Sequence, residues 1–186
     1  MLGREAVRVN KNTGMKIGIA RLGRGTAALL TAAILLLAAG GCAARFAEDV
    51  AAEELLEIME TAVAEPSDFR SADEAVYRLY FADGEDAGRV SDHAIAAHRE
   101  TLDFRELGVL HARSAGDVPR VEELARAYLE ERVACLREFA RAYHPEGASD
   151  IDNAGVRVLG NYVVFYVLDA PSAGRALEAA QARLAA

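Results

Sequence analysis

The stretch AGVRVLGNYVVFYVLD, Ala154 to Asp169, decides the fold. Val156, Val158 and Leu159 suit a strand, Gly160-Asn161 is a two-residue turn signal, and Tyr162 to Leu168 are aromatic, β-branched or leucine without a break. That is a β-hairpin, because Gly and Asn tolerate the positive φ that short hairpin turns require. In its second strand Tyr162, Val164 and Tyr166 alternate with Val163, Phe165 and Val167, so both faces are apolar. Such a strand is central and covered on both sides, or one face awaits a partner. The face made by Tyr162, Val164 and Tyr166 is the candidate partner surface, since tyrosine is favoured at protein interfaces.

Working outward, Asp169 and Pro171 open a helix with Ala173, Leu177, Ala180 and Leu184 on one stripe. Upstream, Asp117, Pro119, Glu122 and Glu123 make a helix start, and the helix runs to about Tyr143, before Pro145 and Gly147. Residues 89–99 and 104–113 read as two strands joined near Glu100 to Asp103, although Ala94 to Ala97 suit a helix equally well. Ser71 with Glu74 has the spacing of a capping box, predicting a short helix that packs Val76, Leu79 and Tyr80. Residues 47–64 place Ala51, Leu55, Ile58, Met59 and Ala62 on one helical stripe opposite acids. The order α-α-β-β-α-β-β-α predicts an α+β fold, an antiparallel sheet of about four strands with helices packed on it.

Few residues carry a chemical signal. Arg132 falls in the middle of the stripe Val121, Ala125, Tyr128, Leu136, Phe139, Tyr143, where a charge has to reach solvent or find a carboxylate. Glu106, within FRELGVL, is its candidate partner, as a structural salt bridge or as a ligand-binding pair. His93, His98, His111 and His144 show neither HxH nor HExxH spacing, so solvated histidines are expected ahead of a zinc site. Asp83 to Asp86 is a solvated turn without the ligand spacing of a calcium loop. Cys135 lies on an apolar helix face and is expected to be a buried, inert thiol. No GxSxG, glycine-rich phosphate loop, CxxC or SxxK motif occurs; no catalytic residue, metal or cofactor is assigned.

The N-terminal part concerns location. Basic residues Lys16, Arg21 and Arg24 precede the apolar run Ala27 to Ala39, which ends in Gly40, Gly41 and Cys42. This is the order of a secretory signal peptide, and the run of 13 residues is short of the about 20 that span a bilayer. A cysteine behind small residues has the form of a bacterial lipobox, with Ala39 where leucine is commonest. Residues 1–41 are therefore expected to be a signal peptide, with Met15 as a conventional start, and residues 42–186 one domain. Lipidation of Cys42 is preferred over plain secretory cleavage. A diacylglyceryl group supplies the two chains that stable anchoring needs, at ~0.8 kcal/mol per buried CH₂. Beyond Cys42 stand 15 Arg, no Lys and 28 acidic residues, a net charge of −13. That charge argues against nucleic acid and anionic headgroups as partners. With Cys135 alone remaining, no internal disulfide can form.

From Phe104 onward the chain resembles a family of small bacterial, clostridial-type lipoproteins that carry domain of unknown function 4358. The resemblance lies in FRELGVLHA, in EERVACLREFARAYHPE and in GNYVVFYVLD, with Glu106, Arg132, Phe139, Tyr143, Pro145 and Gly160-Asn161-Tyr162 in that order. It implies an exported lipoprotein domain and transfers no activity. The expectation is a non-catalytic binding or accessory protein of the cell envelope. It would be held at the extracytoplasmic face of the cell membrane by Cys42 and would meet an envelope protein partner. The alternatives are a small-molecule binding lipoprotein and, less favoured, an envelope enzyme.

Overall fold

A computed structural model describes residues 46–64, 66–72 and 74–185. Cys42 and residues 1–41, expected to be a signal peptide, lie outside the described residues. Ala44–Ala186 is one compact unit. Among the described residues there are five strands: β1 (Phe69–Ser71), β2 (Val90–His98), β3 (Glu106–Ala112), β4 (Gly155–Leu159) and β5 (Tyr162–Val167). The helices are α1 (Ala52–Val63), α2 (Glu74–Phe81), α3 (Val118–Tyr143), α4 (Ala148–Asp152) and α5 (Ala170–Leu184). The strands form one antiparallel sheet in the order β1-β2-β3-β5-β4. The fold is α+β, with helices on both faces.

The hairpin explains this layering. Gly160 takes φ +62 at the turn, a conformation that side chains with a Cβ rarely adopt. Every residue of β5 is buried. Tyr162, Val164 and Tyr166, with Leu107 and Val109, pack against Leu55, Leu56 and Met59 of α1 and Ala173, Ala176 and Ala180 of α5. Val163, Phe165 and Val167, with Leu110, pack against Phe81 of α2 and Val121, Ala125, Tyr128 and Leu129 of α3. Burying each of the larger side chains contributes about 1.5–3 kcal/mol. The face of Tyr162, Val164 and Tyr166 is therefore core and no partner surface, which corrects the sequence-based assignment. The Tyr162 hydroxyl is spent internally, accepting from Val50 N (3.0 Å) and donating to Val50 O (2.7 Å).

Several boundaries differ from the sequence reading. The sheet has a fifth strand, because Phe69–Ser71 pairs with Ala96–His98. Ser71 thus belongs to β1, its hydroxyl meets Ala72 O, and α2 begins at Glu74 without the expected capping box. Asp169 does cap α5, accepting from Ser172 N at 2.8 Å. Cys135 is exposed, as are Phe139 and Tyr143. In the C-terminal half of the 26-residue α3 the buried residues are Leu136 and Ala140; Cys135 and Phe139 lie on one flank of them, and Tyr143 is the last residue of the helix.

Gly108 is the closest point of the core. A Cβ there would stand 2.1 Å from the Phe165 ring, which lies over the β3 backbone. Gly108→Ala is expected to destabilise the fold by about 3 kcal/mol, the upper end of ordinary overpacking, read by urea denaturation. A loss below about 1 kcal/mol would show that the ring moves aside freely.

Candidate functional site

Glu106 and Arg132 meet. Glu106 begins β3 opposite Val167, its side chain is 3% exposed, and it turns towards α3. Arg132 Nε donates to Glu106 Oε2 at 2.8 Å, and the Tyr128 hydroxyl donates to Oε1. Tyr128 stands one helical turn before Arg132, and its ring packs edge-on to Phe81, Phe165 and Tyr80. Burial, then the Glu106 charge, push the Tyr128 hydroxyl far above its ordinary range, so it keeps its proton and stays a donor. Burial alone would lower the Arg132 guanidinium, but the Glu106 carboxylate beside it holds it above its ordinary value. Both carboxylate oxygens are thus satisfied, as a buried charge requires. Any substrate would first have to displace Tyr128 or Arg132. The arrangement ties the sheet to α3. Sequence reasoning found the ion pair and missed the tyrosine, although the spacing of four between Tyr128 and Arg132 put them on one helix face.

The histidines are not brought together as a cluster. His93 stacks on Tyr77, with ring centroids 3.4 Å apart, and His111 stacks on Tyr162 at 4.3 Å. His98 is buried edge-on to Phe69, with Nδ1 3.3 Å from Asp103 Oδ2 and Nε2 2.9 Å from Arg105 Nη2. Arg105 also grips Asp103 at 2.6 Å, which closes the β2–β3 turn. Among the described residues no three His, Cys, Asp or Glu side chains converge as a metal site.

The open feature is a groove of about 640 Å³ along the outer side of β2. It exists because β1 is short. β1 covers Ala96–His98, Ala72 N donates to Ile95 O at 2.8 Å, and the chain then turns away into α2. Beyond that point β2 is an edge. Asp92 manages part of it: its Oδ1 accepts from His93 N (2.9 Å), and its Oδ2 accepts from Ala52 N (2.8 Å). That second bond caps α1, since Ala51 has no side chain with which to do so. One wall of the groove is the stripe Glu53, Glu57 and Glu60 of α1, at the i, i+4, i+7 spacing of a single helix face. The other wall carries Glu74, Tyr77 and His93. Burial first, then Glu57, push the Glu60 carboxyl up. The acid stripe is visible in the sequence as a solvated helix face, but nothing local shows that a sheet edge lies beside it.

No protein-family model, curated protein or solved structure matches the chain. The resemblance carried by FRELGVLHA, EERVACLREFARAYHPE and GNYVVFYVLD rests on those stretches alone.

The Glu106 pair makes an ordered prediction. Arg132→Met leaves a 3%-exposed carboxylate with only Tyr128 and is expected to cost about 2–3 kcal/mol, less than for a sealed pair because Arg132 is 36% exposed. Glu106→Gln is expected to cost about 1–2 kcal/mol, because Arg132 can turn to water. Urea denaturation of both variants checks the order; a larger loss in Glu106→Gln would refute this account.

Proposed function

We propose that the chain is an exported lipoprotein, anchored through diacylglyceryl-Cys42, whose domain binds a protein partner at the cell envelope and performs no catalysis of its own. The observation that carries the anchoring half is positional. Ala47 N donates to Leu184 O at 2.7 Å, only five residues past the cysteine of ILLLAAGGC, which supports a folded domain set close behind an anchor. Among the described residues no helix is long and apolar enough to cross a membrane, so in those residues attachment would need another device.

The binding half is supported by the contrast between the two candidate sites. The buried Glu106 pair has both oxygens occupied by groups of its own chain. The β2 groove, by comparison, is open and lined by side chains from three elements besides β2 itself. Its volume would also hold a small molecule, which favours the solute-binding alternative to that extent. Its carboxylate-rich lining differs from the mostly apolar lining of such pockets and favours a polar, extended partner.

Metabolic labelling of cells with an alkyne fatty acid tests the anchor. The wild-type chain is expected to take up label and to sediment with membranes, and Cys42→Ala to lose both. Label in Cys42→Ala, or none in the wild type, would refute lipidation at Cys42.

A further inference from the structure

We propose that the β2 edge receives an extended, basic segment of a partner protein, which adds to the sheet as a further strand in the groove between α1 and α2. This deepens the binding-protein reading above and rests on it.

The backbone comes first. Because Ala72 N donates to Ile95 O, the odd-numbered residues of this part of β2 turn their peptide groups away from β3. His93 N is satisfied by Asp92, and Ile95 O by Ala72. That leaves His93 C=O and Ile95 N–H, which bond to nothing among the described residues. One residue of an added parallel strand satisfies both, giving its N–H to His93 and its C=O to Ile95. Ile95 lines the groove, so its amide is within reach of an entering chain, and an unpaired amide there favours a peptide that can bond it.

Charge selects the occupant. The groove is lined by Glu53, Glu57, Glu60, Glu74 and Asp92 against Arg70 and Arg99, and Arg99 Nε is already given to Ser67 O at 2.6 Å. No cation among the described residues pairs with Glu53, Glu57 or Glu60. Side chains alternate along a strand, so one set from an added segment would face the Glu53, Glu57, Glu60 stripe and the other the stacked Tyr77 and His93 rings. A basic residue at every second position, with apolar residues between, answers both walls. A second copy of this chain does not, since it would bring the same acid stripe against itself.

The test is titration of the full-length lipidated chain, in neutral detergent, with a labelled acetyl-Lys-Val-Lys-Val-Lys-Val amide and with its Glu-for-Lys counterpart, followed by fluorescence anisotropy. Expected are at least tenfold tighter binding of the Lys peptide, and slowed hydrogen exchange at the Ile95 amide when it is bound. Tenfold weakening is expected in Ile95→Pro, which lacks the N–H, and in the double variant Glu57→Lys/Glu60→Lys. The double variant changes helix-surface side chains and keeps the test valid if Ile95→Pro does not fold by circular dichroism. Equal binding of both peptides, unchanged affinity in the double variant, or unchanged Ile95 exchange would overturn the inference. So would self-association of the wild-type chain in sedimentation that Ile95→Pro abolishes. A chain that labels at Cys42 and crosslinks to an envelope partner but ignores the Lys peptide would sink this inference alone and leave the broader reading standing.

Discussion

The contact of the Phe165 ring with the Gly108 backbone is the constraint on which the other parts depend. With no side chain on Gly108, the ring lies against the β3 backbone instead of standing off it. That leaves space above the ring for Phe81 at 6.0 Å and Tyr128 at 5.3 Å, which come from α2 and α3. Both helices converge on that patch of sheet, and Tyr128, once there, reaches Glu106. On the opposite face Tyr162 fixes the segment before α1 by two bonds to Val50. β5 therefore directs both helical layers. The hydrophobic effect supplies most of the energy on either face, while the tyrosine hydroxyls determine which packing is adopted.

Tyr128 and Tyr162 also show why polar atoms occur in a core that could have been wholly apolar. Replacing the Glu106–Arg132 pair by apolar residues of similar size would cost little in principle and could even stabilise. What the pair adds is register. α3 is 26 residues long, and its apolar stripe alone would permit it to slide by a turn along the sheet. A charged anchor on β3 with two donors on α3, four residues apart, is satisfied in only one position.

How much could be read from the sequence follows from the range of each signal. The hairpin at Gly160-Asn161, the Asp169 cap and the reach of α3 depend on neighbours in sequence, and all appear in the structure. The Glu106–Arg132 pair was legible because a charge on an apolar stripe needs a partner, and FRELGVL held a suitable one. β1 was not legible. Three residues, Phe-Arg-Ser, carry no periodicity, and they form a strand only because Ala96–His98 lies alongside. For the same reason Ser71-Glu74 looked like a capping box, since side-chain spacing cannot show that the backbone of Ser71 is already committed to a sheet. The apolar stripe of α3 was extended as far as Cys135, Phe139 and Tyr143 because periodicity gives the direction of a face and not the extent of what covers it. The groove depends on the same hidden fact as β1, because a strand that stops early creates the edge.

An exposed strand edge is a hazard as well as an opportunity, and the acid stripe bears on both. Unpaired peptide groups invite any extended chain, including another copy of this one. β2 is partly protected by its irregularity between Val90 and Asp92 and by the Asp92 carboxylate on His93 N. Glu53, Glu57 and Glu60 complete the protection, because they repel the same edge of a second molecule and any acidic segment. With 15 Arg and 28 acidic residues beyond Cys42, most surfaces of this domain would repel one another anyway, which makes self-pairing through this edge doubly unfavourable. Electrostatic exclusion of that kind is selective and not absolute. The stripe that keeps copies apart lowers the energy of a basic strand entering the groove, so protection and recognition would be the same physical term with opposite signs for two classes of partner.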